Sequence, residues 1–316
     1  MTQMSHIANQ ALIEDARVGF HAAFMSQLED MAPDTLEQLA RTLPSTTAIE
    51  VIEWLGAVAG FTEWKGDRKL TDREAFKLTV ANRDWSGGLS IHQNNIKDDK
   101  LALFGDEVSD LVRGCKTHRY DLIVDTLTNG FDGANTDIGN GLCFDNGFFF
   151  HAAHPLSNGA TQSNKLTVAL SPSGLTSARQ LLRTMRDATG RRRLNLTGTH
   201  LVVGPKNEEY AEKLMSADVL VNSAGTAADS NTQKGKYKIL VSPRLVDDFD
   251  DDWYLADLTP SAWKPVIFQL RQDIETSDQA DPGSPDRFAR GKINFGAEAR
   301  YATAYLSYMN IVGSRP

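Results

Sequence analysis

"AFKLTVANRDWSGGLSIHQNN", residues 75 to 95, is the stretch on which the fold turns. Phe76, Leu78 and Val80 alternate with polar residues, the two-residue period of a strand with one covered face. Gly87-Gly88 interrupts before Leu89 and Ile91, so the stretch reads as a long β-hairpin. Just beyond it the period changes. Leu101, Phe104, Val108, Leu111, Val112, Cys115, Leu122, Ile123 and Leu127 mark one face of a helix that stops at Asn129-Gly130. About 28 residues at 1.5 Å each make a rod of roughly 40 Å, which must cross most of a domain.

Upstream, Leu12, Ile13, Ala16, Phe20, Phe24 and Leu28 predict an amphipathic helix that "EDMAPDT" breaks. Downstream, Phe131 to Gln162 is rich in Gly, Asn and Asp and reads as a long loop with short strands. Leu175, Ala178, Leu181, Leu182, Met185 and Ala188 then predict a helix closed by Gly190. "THLVVGP" reads as a buried strand and "NEEYAEKLM" as a helix capped by Asn207. "KYKILVSP", "DWYLADL" and "PVIFQLRQ" are further strands, so an α/β lobe is expected from about Leu175 to Gln272. "NSAGTAADSNTQKGK" reads as an exposed loop. "KINFGAEARYATAYLSYMN" alternates Ile293, Phe295, Ala297, Ala299 and Tyr301 and is expected to be a long strand returning to another lobe.

Hydrophobic residues at 41% and charged residues at 23% describe a globular chain with a sizeable core. A formal net charge of -8 excludes a generic nucleic-acid binder, whose affinity comes from Lys and Arg neutralising phosphates. Cys115 and Cys143 have no CxxC spacing, which suits a reducing compartment. No signal peptide and no membrane-length apolar run is visible, so no membrane partner is expected.

"NGFFFHAAHP" places His151 and His154 three apart, close to Asp145, and raises a metal-dependent hydrolase as one reading. Residues three apart in a strand face opposite ways, and Pro155 disfavours helix at His154. Structural histidines are the expectation, with no metal and no cofactor. "DDFDDDWY" has five aspartates in six residues but lacks the Gly and Glu of a calcium loop, and reads as a solvated turn. Arg191, Arg192 and Arg193 are expected just beyond a helix C-terminus, where cations meet the negative end of the dipole. No nucleophile, base and orienting group assemble, so no enzyme is expected.

"WLG" at Trp54 to Gly56, "EWKGDR" at Glu63 to Arg68, "VANRDW" with "SIHQNNIKDDKL", and "FDNGFFFHAAHP" resemble, in order, the pattern of the Mu-like phage major head subunit family. "WYLADL", "PVIFQLRQ" and "NFGAEARYATAY" are similar to its C-terminal segments. His154-Pro155 falls in the matching motif and His151 does not. The resemblance implies the α+β Hong Kong 97 phage capsid fold. Its parts would be an N-terminal arm (1–63), an E-loop hairpin (64–98), a P-domain (99–174) with a spine helix at 99–130, an A-domain (175–290) and a return strand of the P-domain (291–316). It implies a major capsid protein assembling into hexamers and pentamers of an icosahedral head around double-stranded DNA held without sequence specificity. The protein would be assembled in the host cytoplasm and reside in the virion, with portal and scaffolding or decoration proteins as further partners. The hairpin's Trp64, Arg68, Phe76, Leu78 and Trp85 are the expected inter-subunit contacts. A non-viral nanocompartment shell on the same fold is the alternative within the structural class.

Overall fold

The computed structural model describes residues 2–31, 34–55, 75–97, 101–136, 138, 141–221, 228–259, 264–281 and 283–316. The chain opens with α1 (Thr2–Asp30), β1 (Ala40–Pro44), β2 (Ile49–Leu55), β3 (Ala75–Ala81), β4 (Arg83–His92), α2 (Gln93–Lys97) and α3 (Leu101–Asn129). Short strands β5 (His154–Pro155), β6 (Thr161–Gln162) and β7 (Lys165–Leu166) lead to α4 (Pro172–Thr184), β8 (His200–Val203), α5 (Pro205–Ser216), β9 (Val219–Val221), β10 (Ala228–Ser230), β11 (Lys238–Val241) and β12 (Trp253–Ala256). The last elements are β13 (Val266–Gln279), α6 (Pro285–Arg290), β14 (Lys292–Tyr305) and β15 (Ile311–Ser314). No described helix is long and apolar enough to cross a membrane.

Two sheets organise the molecule. The first runs β1-β13-β14-β4, with β1 parallel to β13 and the other pairs antiparallel. Ile293, Phe295, Ala297, Ala299 and Tyr301 of β14 are all buried, the alternation the sequence predicts. Two helices cover this sheet. Phe20 of α1 packs on Phe295 with ring centroids 4.6 Å apart, and α3, 29 residues or about 40 Å long, lies along β4 and β14. The second sheet runs β11-β8-β12-β15-β7, flanked by α4 and α5.

The hairpin expected at 64–98 is not the one that forms. β3 pairs with β2, and β4 pairs with β14. Only Asn82 separates β3 from β4, and one residue cannot reverse a chain where the tightest common hairpin needs a two-residue loop. The two runs therefore continue in one direction and pass from one sheet to another. Gly87 and Gly88 lie inside β4, opposite Ala297 and Gly296. A Cβ at Gly88 would stand 2.9 Å from the Phe295 carbonyl oxygen, so close strand approach, not a turn, calls for glycine there.

The α/β lobe is also redrawn. β13 lies within the expected 175–290 lobe, yet it is the partner of β1 and β14 in the first sheet, its Val266, Ile267 and Phe268 buried there. Conversely, β15 from the return segment inserts between β12 and β7 of the second sheet. The helix expected to reach Ala188 stops at Thr184, and Met185 turns extended to enter the core. Gly204, not Asn207, caps α5. A Cβ at Gly204 would fall 2.2 Å from the Leu245 carbonyl oxygen, while the Asn207 side chain donates to the Asp250 carbonyl.

Candidate functional site

The β2/β3 ribbon stands outside both sheets. Its register sets Ile49 against Ala81, Val51 against Thr79 and Ile52 against Leu78. Opposed residues share a face of the ribbon. Leu78 and Val80 turn toward the molecule, where with Leu122, Thr126, Leu142 and Thr303 they line a cavity of about 230 Å³. The other face carries Ile49 and Val51, 57% and 55% exposed. Two β-branched residues side by side in water are what a two-stranded ribbon cannot cover by itself.

A polar knot holds the ribbon's base. Asn82 donates from Nδ2 to Ser45 Oγ and the Thr47 carbonyl, both at 2.8 Å, and Gln269 Nε2 donates to Asn82 Oδ1 at 2.8 Å. The Glu50 carboxylate accepts the Thr46 and Thr47 N–H groups at 2.7 and 2.9 Å, which brings its pKa down to about 2. The ribbon is thus tied to β13 through side chains rather than by sheet pairing.

Of the contact residues expected from sequence, Trp64 and Arg68 lie outside the described residues, and Phe76 is described only as a backbone position in β3. Leu78 is half-buried against its own chain. Trp85 is not at a hairpin tip. It sits in β4, its indole N–H donating to the Tyr301 carbonyl at 3.0 Å and its ring 4.3 Å from that of His118. His118 Nδ1 meets the Tyr301 hydroxyl at 2.7 Å. Burial lowers the His118 pKa and pushes Tyr301 up to about 12, so a neutral imidazole meets a phenol that stays protonated. The premise that sent Trp85 to a neighbouring subunit is removed. Ile49 and Val51 are the apolar pair that sequence reasoning missed, although the alternation in "IEVIE" carries the signal.

His154 is fully buried and stacks on Tyr308, ring centroids 3.6 Å apart. Its Nδ1 lies 2.6 Å from Asp145 Oδ2 and its Nε2 3.1 Å from Asn164 Oδ1. Asn164 is oriented by its own Nδ2, which donates to the Phe149 and Tyr308 carbonyls, so its oxygen faces His154. Both imidazole nitrogens are thus engaged by side-chain oxygens within the protein, and neither is turned toward open space. The His151 Nδ1 instead accepts the Ala153 N–H at 3.3 Å. The hydrolase built on Asp145, His151 and His154 is set aside on that geometry. Among the described residues no group of three His, Cys, Asp or Glu is placed to hold a metal ion.

Arg315 was silent in the sequence. Its guanidinium bridges Asp252 and Asp132 at 2.9 Å each, donates to the Thr128 carbonyl at 3.0 Å and lies over the Phe131 ring. With the Arg244–Asp125 pair it fastens the second sheet to the end of α3.

The family model described as Mu-like prophage major head subunit gpT matches residues 13–172, 166–245 and 244–315. The Mu-like prophage FluMu major head subunit of Haemophilus influenzae is 30% identical over 158 residues, which is 50% of this chain and 48% of that protein. The major capsid protein of Escherichia phage Mu is 27% identical over 150 residues, 48% of this chain and 46% of that protein. The matched segment thus spans about half the length of these curated relatives. Among solved structures, the procapsid of bacteriophage JBD30 is similar over 97% of this chain and 75% of that one, at 20% identity and a TM-score of 0.59. That likeness shows the α+β phage capsid fold, the Hong Kong 97 type expected from the sequence.

Proposed function

The chain belongs to the Mu-like prophage major head subunit family, and on that premise we propose that it is the major capsid protein of a tailed phage. Copies of the chain associate as hexamers and pentamers into an icosahedral head enclosing double-stranded DNA. The virion is its place of residence and the host cytoplasm its place of assembly. It catalyses no reaction. Portal, scaffolding and decoration proteins are its further partners in this reading, and DNA is held without sequence specificity by a wall whose net charge of -8 does not grip phosphate.

The observation that carries the reading is the exposed Ile49–Val51 face of a ribbon that its own sheets leave unpaired. A neighbouring copy of the same chain is what covers it. Many modest contacts of this kind, repeated around a closed shell, multiply into a stable particle. Negative-stain microscopy of the purified chain should show shells. Ile49→Asp with Val51→Asp should leave folded, dispersed subunits, and unaltered shells from that variant would count against the assignment of this face.

A further inference from the structure

The arginine run at 191–193 has no helix to cap. α4 ends at Thr184, and the chain reaches Arg191 through a turn organised by the buried Asp187 carboxylate, which accepts the Arg191 and Arg192 N–H groups at 3.2 Å. Arg191 and Arg193 are exposed, as is Arg183 on the last turn of α4. Among the described residues none of these three is in an ion pair; Arg183 donates to the neutral Asn195 side chain at 3.2 Å. In a chain of net charge -8, a group of exposed arginines without matching carboxylates wants a partner from outside.

The same sheet carries the opposite charge at its other end. The arginine turn lies upstream of His200, on the stretch that leads into the start of β8. β8 ends at Val203 and passes into α5, which carries Glu208, Glu209 and Glu212. β11, parallel to β8, ends at Val241 and runs on to Asp247 and Asp248, both exposed, before the antiparallel β12 begins at Trp253. Lys206 is already matched, to Asp250 and Asp251 at 2.9 Å each. Asp247, Asp248 and Glu209 take part in no ion pair among the described residues.

We propose that this lobe joins copies head to tail, the Arg183, Arg191 and Arg193 end of one copy docking on the Glu209, Asp247 and Asp248 end of the next. The proposal rests on the capsid reading above and names one contact within it. A heterologous contact of this kind closes into rings when the rotation per copy divides a full turn. Complementary charge at the two ends sets the register and direction of the contact and suppresses head-to-head pairing, in which like charges meet. DNA is the weaker partner for the arginines, since a phosphate contact would leave the carboxylate end unexplained, whereas a second copy accounts for both.

The test uses the full chain and three variants: Arg191→Glu with Arg193→Glu, Asp247→Arg with Asp248→Arg, and all four changes together. Each is followed by circular dichroism, sedimentation velocity and electron microscopy at about 0.1 M salt, where charges act over about 10 Å. The wild type and the fourfold variant should assemble. Each double variant should remain as folded single subunits, and the two double variants mixed should co-assemble. Double variants that assemble as the wild type does would overturn the contact while leaving the capsid reading standing. Double variants that assemble normally but lose packaged DNA would overturn it in favour of a phosphate surface. A wild type that assembles under no condition would remove the capsid reading and the contact with it.

Discussion

His154 Nδ1 lies 2.6 Å from Asp145 Oδ2 in a site where the two side chains are 0% and 5% exposed. The pair closes the loop after α3 upon itself, because Asp145 also accepts the Gly147 N–H at 3.1 Å and Asn164 takes the far side of the imidazole. Through the ring of Tyr308 the same site reaches the C-terminal segment. The segment that contains His154 is thus a structural joint between the loop after α3 and the turn at Tyr308.

Removing the imidazole should be costly. His154→Ala leaves the buried Asp145 carboxylate without its imidazole partner and the Asn164 amide oxygen with only the His151 N–H, beside an unfilled space against Tyr308, and should cost about 3–5 kcal/mol in urea unfolding of dissociated subunits. The pH profile supplies a second reading. Burial pushes the Asp145 carboxyl up, but the His154 hydrogen bond and charge and the Gly147 N–H outweigh it and leave it below the usual carboxylate range. A folded-state value below the unfolded one gives stability that is complete above the carboxylate range and is lost as pH falls through the folded value. Asp145→Asn should therefore flatten the acid side of the stability curve.

Glu50 holds the ribbon's base. With its pKa brought down to about 2 by the Thr46 and Thr47 N–H groups, its contribution is complete above the ordinary carboxylate range and is lost only as pH falls toward that value. Protection of the Thr46 and Thr47 amides against hydrogen exchange, relative to their intrinsic rates at each pH, should be high at neutral pH and fall only in strong acid. Glu50→Gln should be less protected at neutral pH and converge with the wild type only as pH falls toward about 2, and equal protection of the two proteins at neutral pH would show that the carboxylate does not hold the base.

The helices and the long return strand were legible because each carries its own period. Val108, Val112, Ile123 and Leu127 face the core, and so do alternate residues from Ile293 to Tyr301. What period cannot encode is which strand pairs with which. Phe76 to Ile91 alternates as a hairpin would, yet its halves belong to different sheets, because Asn82 offers no room to turn. β15 is four residues long with its burial decided by neighbours far away in sequence, and Arg315 behind it reads as an ordinary terminal cation. The place of His154 in the core depends on Asn164, whose orientation is fixed by two carbonyls that no local pattern announces.

The glycine pair in β4 offers a direct check on the corrected topology. Gly88 faces Gly296 across the ladder, and a Cβ there meets backbone, the Phe295 carbonyl oxygen at 2.9 Å, which cannot swing aside as a side chain would. Gly88→Ala should destabilise the subunit by about 1–3 kcal/mol. Were residues 87 and 88 a free turn, alanine there would cost little or would stabilise.

Arg315 and Asp252 give the last and most discriminating test. The Asp252 side chain is 2% exposed, and burial raises its pKa even though Arg315, 2.9 Å away, pulls it down. Arg315→Ala would leave that carboxylate buried with its principal counter-charge gone, a change that should cost about 3–5 kcal/mol at neutral pH. The sign with pH then follows. A carboxyl whose folded value lies above its unfolded one binds its proton more tightly when folded, so stability falls as pH rises through the interval between the two. Loss of Arg315 widens that interval, and the deficit of the variant against the wild type should shrink as pH is lowered into the carboxylate range and grow as it is raised. Asp252→Asn in the same background removes the titrating group and should recover part of the loss at neutral pH while abolishing this pH dependence. Urea unfolding of dissociated subunits across pH 4 to 8, run on the four members of the cycle, separates the ion pair from the packing of Arg315 on Phe131 and Phe249. A deficit that stays constant with pH would assign the whole effect to packing.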